Sequence, residues 1–193
     1  MEKDLIKVSK RITRILRHEL DKFTHDSCGF VKVSDIIKSD STFFSGISND
    51  NIQTIVDNDN KTRFQLQEKN HQLYIRANQG HSSGDINDDT MLETIIEPIE
   101  GCFHGTYLKN LDFIRRTGLS RMKRKHIHIA VSDEAKSGKR ASCNVKIYIN
   151  MKLALDEGIK FYRSSNDVIL TPGNEMGILE PKYFLKIEFI NKN

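Results

Sequence analysis

The sequence predicts an α+β protein in two lobes, helix-led at the N-terminus and strand-rich at the C-terminus. Three observations predict it. Apolar residues recur at helical spacing through the early part of the chain, the period then drops to two, and strands dominate beyond a polar, acidic stretch. The 193 residues suffice for one large domain or for two lobes of fewer than about a hundred residues each. The polar stretch places the division, giving residues 1–84, a linker at 85–97 and residues 98–193.

The elements follow in order. Leu5, Val8, Ile12, Ile15, Leu16 and Leu20 make one apolar helical stripe, while Lys10, Arg14, Arg17 and His18 share another face. A second helix is predicted from Val33 to Lys38 with Ser34 as its cap, and a third from Asn49 to Val56 opened by Ser48. Asp57-Asn58-Asp59-Asn60 stops it. Phe64 and Leu66, then Leu73 and Ile75, alternate with polar neighbours, so two strands are predicted around a turn at Lys69-Asn70. Three helices and a hairpin form the pattern of a winged-helix-like lobe. Gln79 to Glu97, containing Ser82-Ser83-Gly84, reads as a connector. Strands are then predicted at 102–105, 126–131, 145–150, 159–163, 168–170 and 183–189. Helices are predicted from Leu108 to Arg116 and from Met151 to Glu157, closed by Gly118 and Gly158.

Composition narrows the function classes. With 37% hydrophobic and 29% charged residues the chain is an ordinary globular one. No basic segment followed by an apolar run opens it and no stretch has the length of a membrane span, which predicts a cytoplasmic protein that does not engage a membrane. Cys28, Cys102 and Cys143 lack any C-x-x-C spacing, which argues against a disulfide framework or a cysteine zinc site. The net charge is +4, with acids gathered at Asp85, Asp88, Asp89, Glu93 and Glu97. Arg115, Arg116, Arg121, Lys123, Arg124 and Lys125 form a basic cluster suited to a phosphate-rich partner or to a solvated face. Signatures of P-loop, Rossmann and nucleophile-elbow enzymes are missing.

Candidate chemistry rests on isolated residues. Arg17-His18 ends the first helix, where the dipole favours cations. Arg63 opens a strand. His104-Gly105-Thr106 lies where a strand meets a helix, a turn at which glycine lets a ligand approach the backbone. His126 and His128 flank Ile127 on one side of a strand, a spacing open to a metal and better suited to a nucleotide pocket; no third ligand accompanies them, and no metal is expected.

Taken in order, these strings resemble the RNA 2'-phosphotransferase family. The matching segments are Ser9-Lys10, Leu16-Arg17-His18, Gly29-Phe30-Val31 leading to Asp35, Lys61 to Leu66, and Ile75 to Ser82. His104-Gly105-Thr106, Gly118-Leu119, Met122, Arg124, His126-Ile127-His128, Tyr162-Arg163-Ser164 and Asn166 to Leu170 follow in the second lobe. Leu20, Phe30 and Ala141 depart from the family's usual Pro, Trp and His; none falls on Arg17, His18, Arg63 or Arg124.

The resemblance implies an RNA-binding winged-helix-like lobe, an ADP-ribosyltransferase-like lobe that binds NAD, and reaction in the cleft between them. It assigns catalysis to Arg17, His18, Arg63 and Arg124. NAD binding falls to His104, Gly105 and Thr106, joined by His126 and Ser132, and RNA or phosphate contacts to Lys10, Arg76, Gln79 and His81. The implied partners are RNA carrying a 2'-phosphate and NAD, consumed as co-substrate by a monomer. The 2'-phosphate displaces nicotinamide, and the ribose 2''-hydroxyl then attacks that phosphate to leave 2'-hydroxyl RNA and ADP-ribose 1'',2''-cyclic phosphate. Two other readings stay open: ADP-ribosylation of a nucleic-acid terminal phosphate or of a protein, stopping after the first step, and a nucleic-acid binder without catalysis.

Overall fold

The computed structural model describes residues 2–82 and 86–190. The chain is mixed α/β and divides into two compact units, Met1–Met91 and Leu92–Asn193.

The first unit opens with α1 (Glu2–His18). Val8, Ile12, Ile15 and Leu16 of the predicted stripe are each no more than 3% exposed. A short 3-10 turn, Leu20–Lys22, then leads to β1 (Val31–Lys32), α2 (Val33–Ser39) and α3 (Asn49–Asp57). After them come β2 (Phe64–Lys69), β3 (Gln72–Ala77) and α4 (Asp88–Met91). The three strands form an antiparallel sheet in the order β1-β3-β2. Its inner face, with Val31, Phe64, Ile75 and Ala77, closes on Ile12, Ile15, Leu16, Phe44 and Ile52.

Ser48 caps α3 as predicted, in a reciprocal pair with Asn51: its Oγ accepts from Asn51 N at 3.3 Å, and Ser48 N donates to Asn51 Oδ1 at 3.0 Å. Ser34 does not cap α2. Lys32 pairs with Tyr74 in β1, so the strand runs directly into the helix and Val33 becomes its first residue. The hairpin turn sits one residue later than predicted. Lys69 pairs with Gln72, leaving Asn70 and His71 at φ values of 51° and 57°. Two left-handed residues are what a two-residue turn needs to match strand twist, and Asn tolerates that conformation.

The second unit contains β4 (Glu93–Ile95), β5 (Phe103–Thr106), α5 (Leu108–Thr117), β6 (Leu119–Ser120) and β7 (Ile127–Ala130). β8 (Val145–Ile149), α6 (Met151–Asp156), β9 (Phe161–Arg163) and β10 (Val168–Thr171) follow, then β11 (Ile178–Leu179) and β12 (Phe184–Phe189). Seven strands make one antiparallel sheet, ordered β12-β8-β5-β7-β10-β9-β4, and β6 pairs with β11. Ile127, Ile129, Val145, Ile147 and Ile169 pack against Leu111 and Ile114 of α5 and Met151 and Ala154 of α6. Gly118 closes α5 at φ 87°, donating its N–H to Ile114 O at 2.8 Å.

The stretch read as a connector is partly structured. Ile86 is 2% exposed in the first unit's core, and β4 pairs with β9 from Glu93↔Arg163 to Ile95↔Phe161. Sparse apolar anchors, Ile86, Leu92 and Ile95, hold residues whose average composition is polar and acidic. Ser83, Gly84 and Asp85 lie outside the described residues. Among the described residues no helix is long and apolar enough to cross a membrane.

Candidate functional site

In the first unit the segment after β3 ties the predicted cations together. Asn78 N donates to Arg63 O at 2.8 Å, and Asn78 Nδ2 donates to the carbonyls of Thr62 and Phe64 at 2.8 and 3.3 Å. Four residues later Ser82 N donates to Arg17 O at 2.8 Å, while Ser82 Oγ lies 2.9 Å from His18 Nδ1. Gly80 lies between these anchors at φ 89°, and a Cβ there would come within 3.2 Å of Arg17 Nε and 3.3 Å of Cζ. Only glycine meets both demands without strain: a left-handed backbone and a guanidinium resting on it. Residues 78–82 thus form a strap with Arg63 at one end and Arg17-His18 at the other.

The surroundings of each cation differ. Arg17 and His18 lie in the last turn of α1, where the helix dipole favours positive charge. His18 is exposed and Arg17 half-buried. Arg63 is met by the Asp59 carboxylate, which accepts from both its backbone N–H and its Nη1. Lys10 is exposed on α1, while Arg14 is engaged by Glu19 at 2.8 Å.

Arg76, Gln79 and His81, expected to contact RNA or phosphate, are buried, with 9%, 7% and 4% exposure. Arg76 donates from Nε and Nη2 to Gln65 Oε1 at 3.0 and 2.7 Å, and its guanidinium sits 4.9 Å from the centre of the Phe30 ring. Desolvation lowers its pKa from the ordinary arginine value.

Of the predicted nucleotide-binding residues in the second unit, His104, Gly105 and Thr106 lie on β5 where its sheet splits, while His126 and Ser132 lie beyond opposite ends of β7. β5 pairs with β8 over four positions, Phe103↔Tyr148 to Thr106↔Val145, but meets β7 in register only at Phe103↔Ala130. His104 lies next along β5, and its Nδ1 is 2.8 Å from His128 O on β7. A carbonyl only accepts, so Nδ1 carries the proton. Burial lowers the imidazole pKa, the nearby Arg140 charge lowers it further, and the His128 carbonyl opposes both. The ring is therefore neutral at pH 7, with Nε2 as an acceptor. Thr106 is buried, and its carbonyl accepts Asn144 N at 3.1 Å.

The space at Gly105 is taken by the chain itself. A Cβ there would lie 3.0 Å from Cys143 Sγ, so the segment ahead of β8 closes directly onto the strand. His126 immediately precedes β7, is 6% exposed, and meets the Tyr162 ring edge-on at 5.8 Å. Ile127 and Ile129 enter the core, leaving His128 on the opposite side of β7, in register with Leu170. Ser132 Oγ donates to Glu134 Oε2 at 2.7 Å. Among the described residues no group of three or more His, Cys, Asp or Glu side chains is arranged to hold a metal ion.

Arg124 ends a tight turn. Its N–H donates to Arg121 O at 3.1 Å, and Arg121 Nη1 returns a bond to Arg124 O at 2.8 Å. Arg124 is exposed as a residue, yet partial desolvation and, secondarily, the charge of Arg140 lower its pKa. Arg140, which sequence reasoning did not single out, acts electrostatically on both Arg124 and His104 and stacks 5.6 Å from the Tyr107 ring centre. Only its place after Gly138-Lys139 hinted at it. Each unit therefore offers cations held by backbone bonds, a suitable arrangement for gripping phosphate oxygens.

Comparison with known proteins finds a match over residues 3–173 to the family described as RNA 2'-phosphotransferase, Tpt1 / KptA family. The chain is 38% identical over 195 residues to tRNA 2'-phosphotransferase 1 of Danio rerio, covering 95% of this chain and 85% of that protein. It is 39% identical over 188 residues to tRNA 2'-phosphotransferase 1 of Homo sapiens, covering 93% and 74% respectively. The protein of that name from Mus musculus is also 39% identical, over 194 residues, covering 93% and 75%.

Proposed function

The chain belongs to the RNA 2'-phosphotransferase (Tpt1/KptA) family, and from that premise we propose that it is an NAD-dependent enzyme removing a 2'-phosphate from RNA. The first unit is the RNA-binding, winged-helix-like part and the second the ADP-ribosyltransferase-like part. The observation that carries this reading is the strap. A phosphate dianion needs several fixed donors that do not reorganise as charge moves, and residues 78–82 link Arg17-His18 to Arg63 through backbone bonds.

The residues of the second unit fit a dinucleotide. Neutral His104, with Nε2 as acceptor, suits a ribose hydroxyl, and Thr106 lies beside it on β5. His126 and Ser132 complete the proposed NAD contacts, and the cations Arg124 and Arg140 suit an anionic ligand.

In the first step an oxygen of the RNA 2'-phosphate attacks the anomeric carbon of the nicotinamide ribose and nicotinamide departs. In the second, the 2''-hydroxyl of that ribose attacks phosphorus and the RNA 2'-oxygen leaves. The products are 2'-hydroxyl RNA and ADP-ribose 1'',2''-cyclic phosphate. Arg17, Arg63 and Arg124 hold the phosphoryl oxygens; exposed His18, placed by Ser82, gives a proton to the departing 2'-oxygen. Lys10 contributes an outlying RNA contact. Gln79 and His81 act as buried members of the strap itself, and Arg76 from the strand that leads into it.

The test is incubation with NAD and an RNA labelled at one internal 2'-phosphate. The label is expected in ADP-ribose 1'',2''-cyclic phosphate; label left on RNA as a stable ADP-ribose adduct would instead establish a transferase that stops after the first step, and untouched label with ADP-ribose added at an RNA end would establish terminal transfer. In single-turnover kinetics His18→Ala should make the ADP-ribosylated RNA intermediate accumulate, and normal decay of that species would refute the proton-donor role.

A further inference from the structure

The run Asp57-Asn58-Asp59-Asn60 has so far served only to end α3. Within it, the Asp59 side chain is 3% exposed, unlike an acid in a solvated turn. A carboxylate taken that far from water must be compensated by donors. Three are present: Lys61 N donates to Oδ1 at 3.3 Å, Arg63 N donates to Oδ2, and Arg63 Nη1 donates to Oδ1. The backbone closes around the same residue, with Thr62 N donating to Asp59 O at 2.8 Å and Thr62 at φ 46°.

Two of the three donors belong to Arg63. Asp59 therefore fixes both the start of β2 and the direction of the guanidinium, while Asn78 N holds the Arg63 carbonyl. A free arginine side chain has many rotamers, an entropy that a phosphate-binding residue would otherwise lose in each catalytic cycle. Asp59 engages Nη1 alone, so Nε and Nη2 remain as an edge that can fork onto phosphate.

We propose that Asp59 is the positioning residue for Arg63, holding its guanidinium in phosphate-binding geometry before substrate arrives. The inference rests on the catalytic role of Arg63 given above. Its signature is kinetic. A carboxylate beside a phosphate-binding cation weakens the attraction of anions in the ground state, so its benefit lies in turnover rather than affinity.

The experiment is a double-mutant cycle in the full chain, with NAD and 2'-phosphorylated RNA. Asp59→Asn keeps an acceptor for the loop N–H groups and removes the ion pair. We expect kcat to fall on the order of tenfold to a hundredfold with KM for RNA unchanged or lower, and Asp59→Asn/Arg63→Ala to be no slower than Arg63→Ala alone. Effects that multiply, a KM that rises with kcat preserved, or full activity of Asp59→Asn would overturn the proposal. Full activity of Arg63→Ala would instead remove the reading of Arg63 itself. If Asp59→Asn does not fold, Asp59→Glu keeps the charge but moves it by one methylene, and the same split of kcat from KM is required.

Discussion

The loop carrying Arg63 and the turn carrying Arg124 solve one problem in opposite ways. Arg63 is fixed at both ends of the residue: its guanidinium and N–H meet Asp59, and its carbonyl meets Asn78. Among the described residues Arg124 is held through its backbone, by Arg121, while its side chain lies under the influence of a second cation, Arg140. The first arrangement has a carboxylate as resident partner and needs no ligand to be stable. The second gathers like charges, a state that an anion relieves. A preformed clamp and an anion-dependent one should respond differently to mutation.

The largest expected effect sharpens that contrast. Arg63→Ala should lower turnover by about a hundredfold or more, since it removes a donor that acts as charge moves. Wild-type rates would break the comparison on its preformed side. Next, Gly80→Ala places a methyl group against Arg17 on a backbone at φ 89°. It should cost about 1–3 kcal/mol of stability, read as a lowered Tm, with turnover falling as the strap shifts. An unchanged Tm would mean the strap is not a rigid link. Arg121→Ala removes the bond to Arg124 O and should slow turnover by up to about tenfold, less than Arg63→Ala. An effect equal to that of Arg63→Ala would erase the distinction between the two loops.

The smallest effect is a pH dependence. His104 has a pKa below the ordinary 6.5, chiefly through burial. Between that lowered value and 6.5 the unfolded chain binds more protons than the folded one. The His104 contribution to stability therefore rises with pH across this window and levels off above about 6.5. NAD affinity should weaken by a few-fold once acidification reaches the lowered value, where Nε2 of the folded chain gains a proton. Titration calorimetry of His104→Asn should find that component missing; an unaltered pH profile would assign it elsewhere.

Much of the first unit was legible because its elements are long enough to show a period. The α1 stripe, the Ser48 cap and the β2–β3 hairpin each leave a mark in the residue order. β1, β6 and β11 span two residues apiece and have no period to read. β4 was hidden by acids that happen to flank Ile95 and its neighbours. The site was less visible than the fold. Arg17, His18 and Arg63 could be singled out as cations and Arg124 only as one of a basic cluster, but nothing about a cation in the sequence reveals its partner. Asp59 looked like a helix stop, and Arg140 one basic residue among several. Arg76 was expected to contact RNA or phosphate, yet its attachment to Gln65 and Phe30 depends on pairing across the sheet and on a segment 46 residues away.

The central claim, a phosphate clamp organised within the first unit by the strap, is tested most directly by equilibrium binding. The full chain is titrated, without NAD, with two RNAs of one sequence, differing only in a 2'-phosphate. The phosphorylated RNA should bind more tightly, and the difference should vanish in Arg17→Ala/Arg63→Ala. Equal affinity of the wild-type chain for both RNAs would contradict the account.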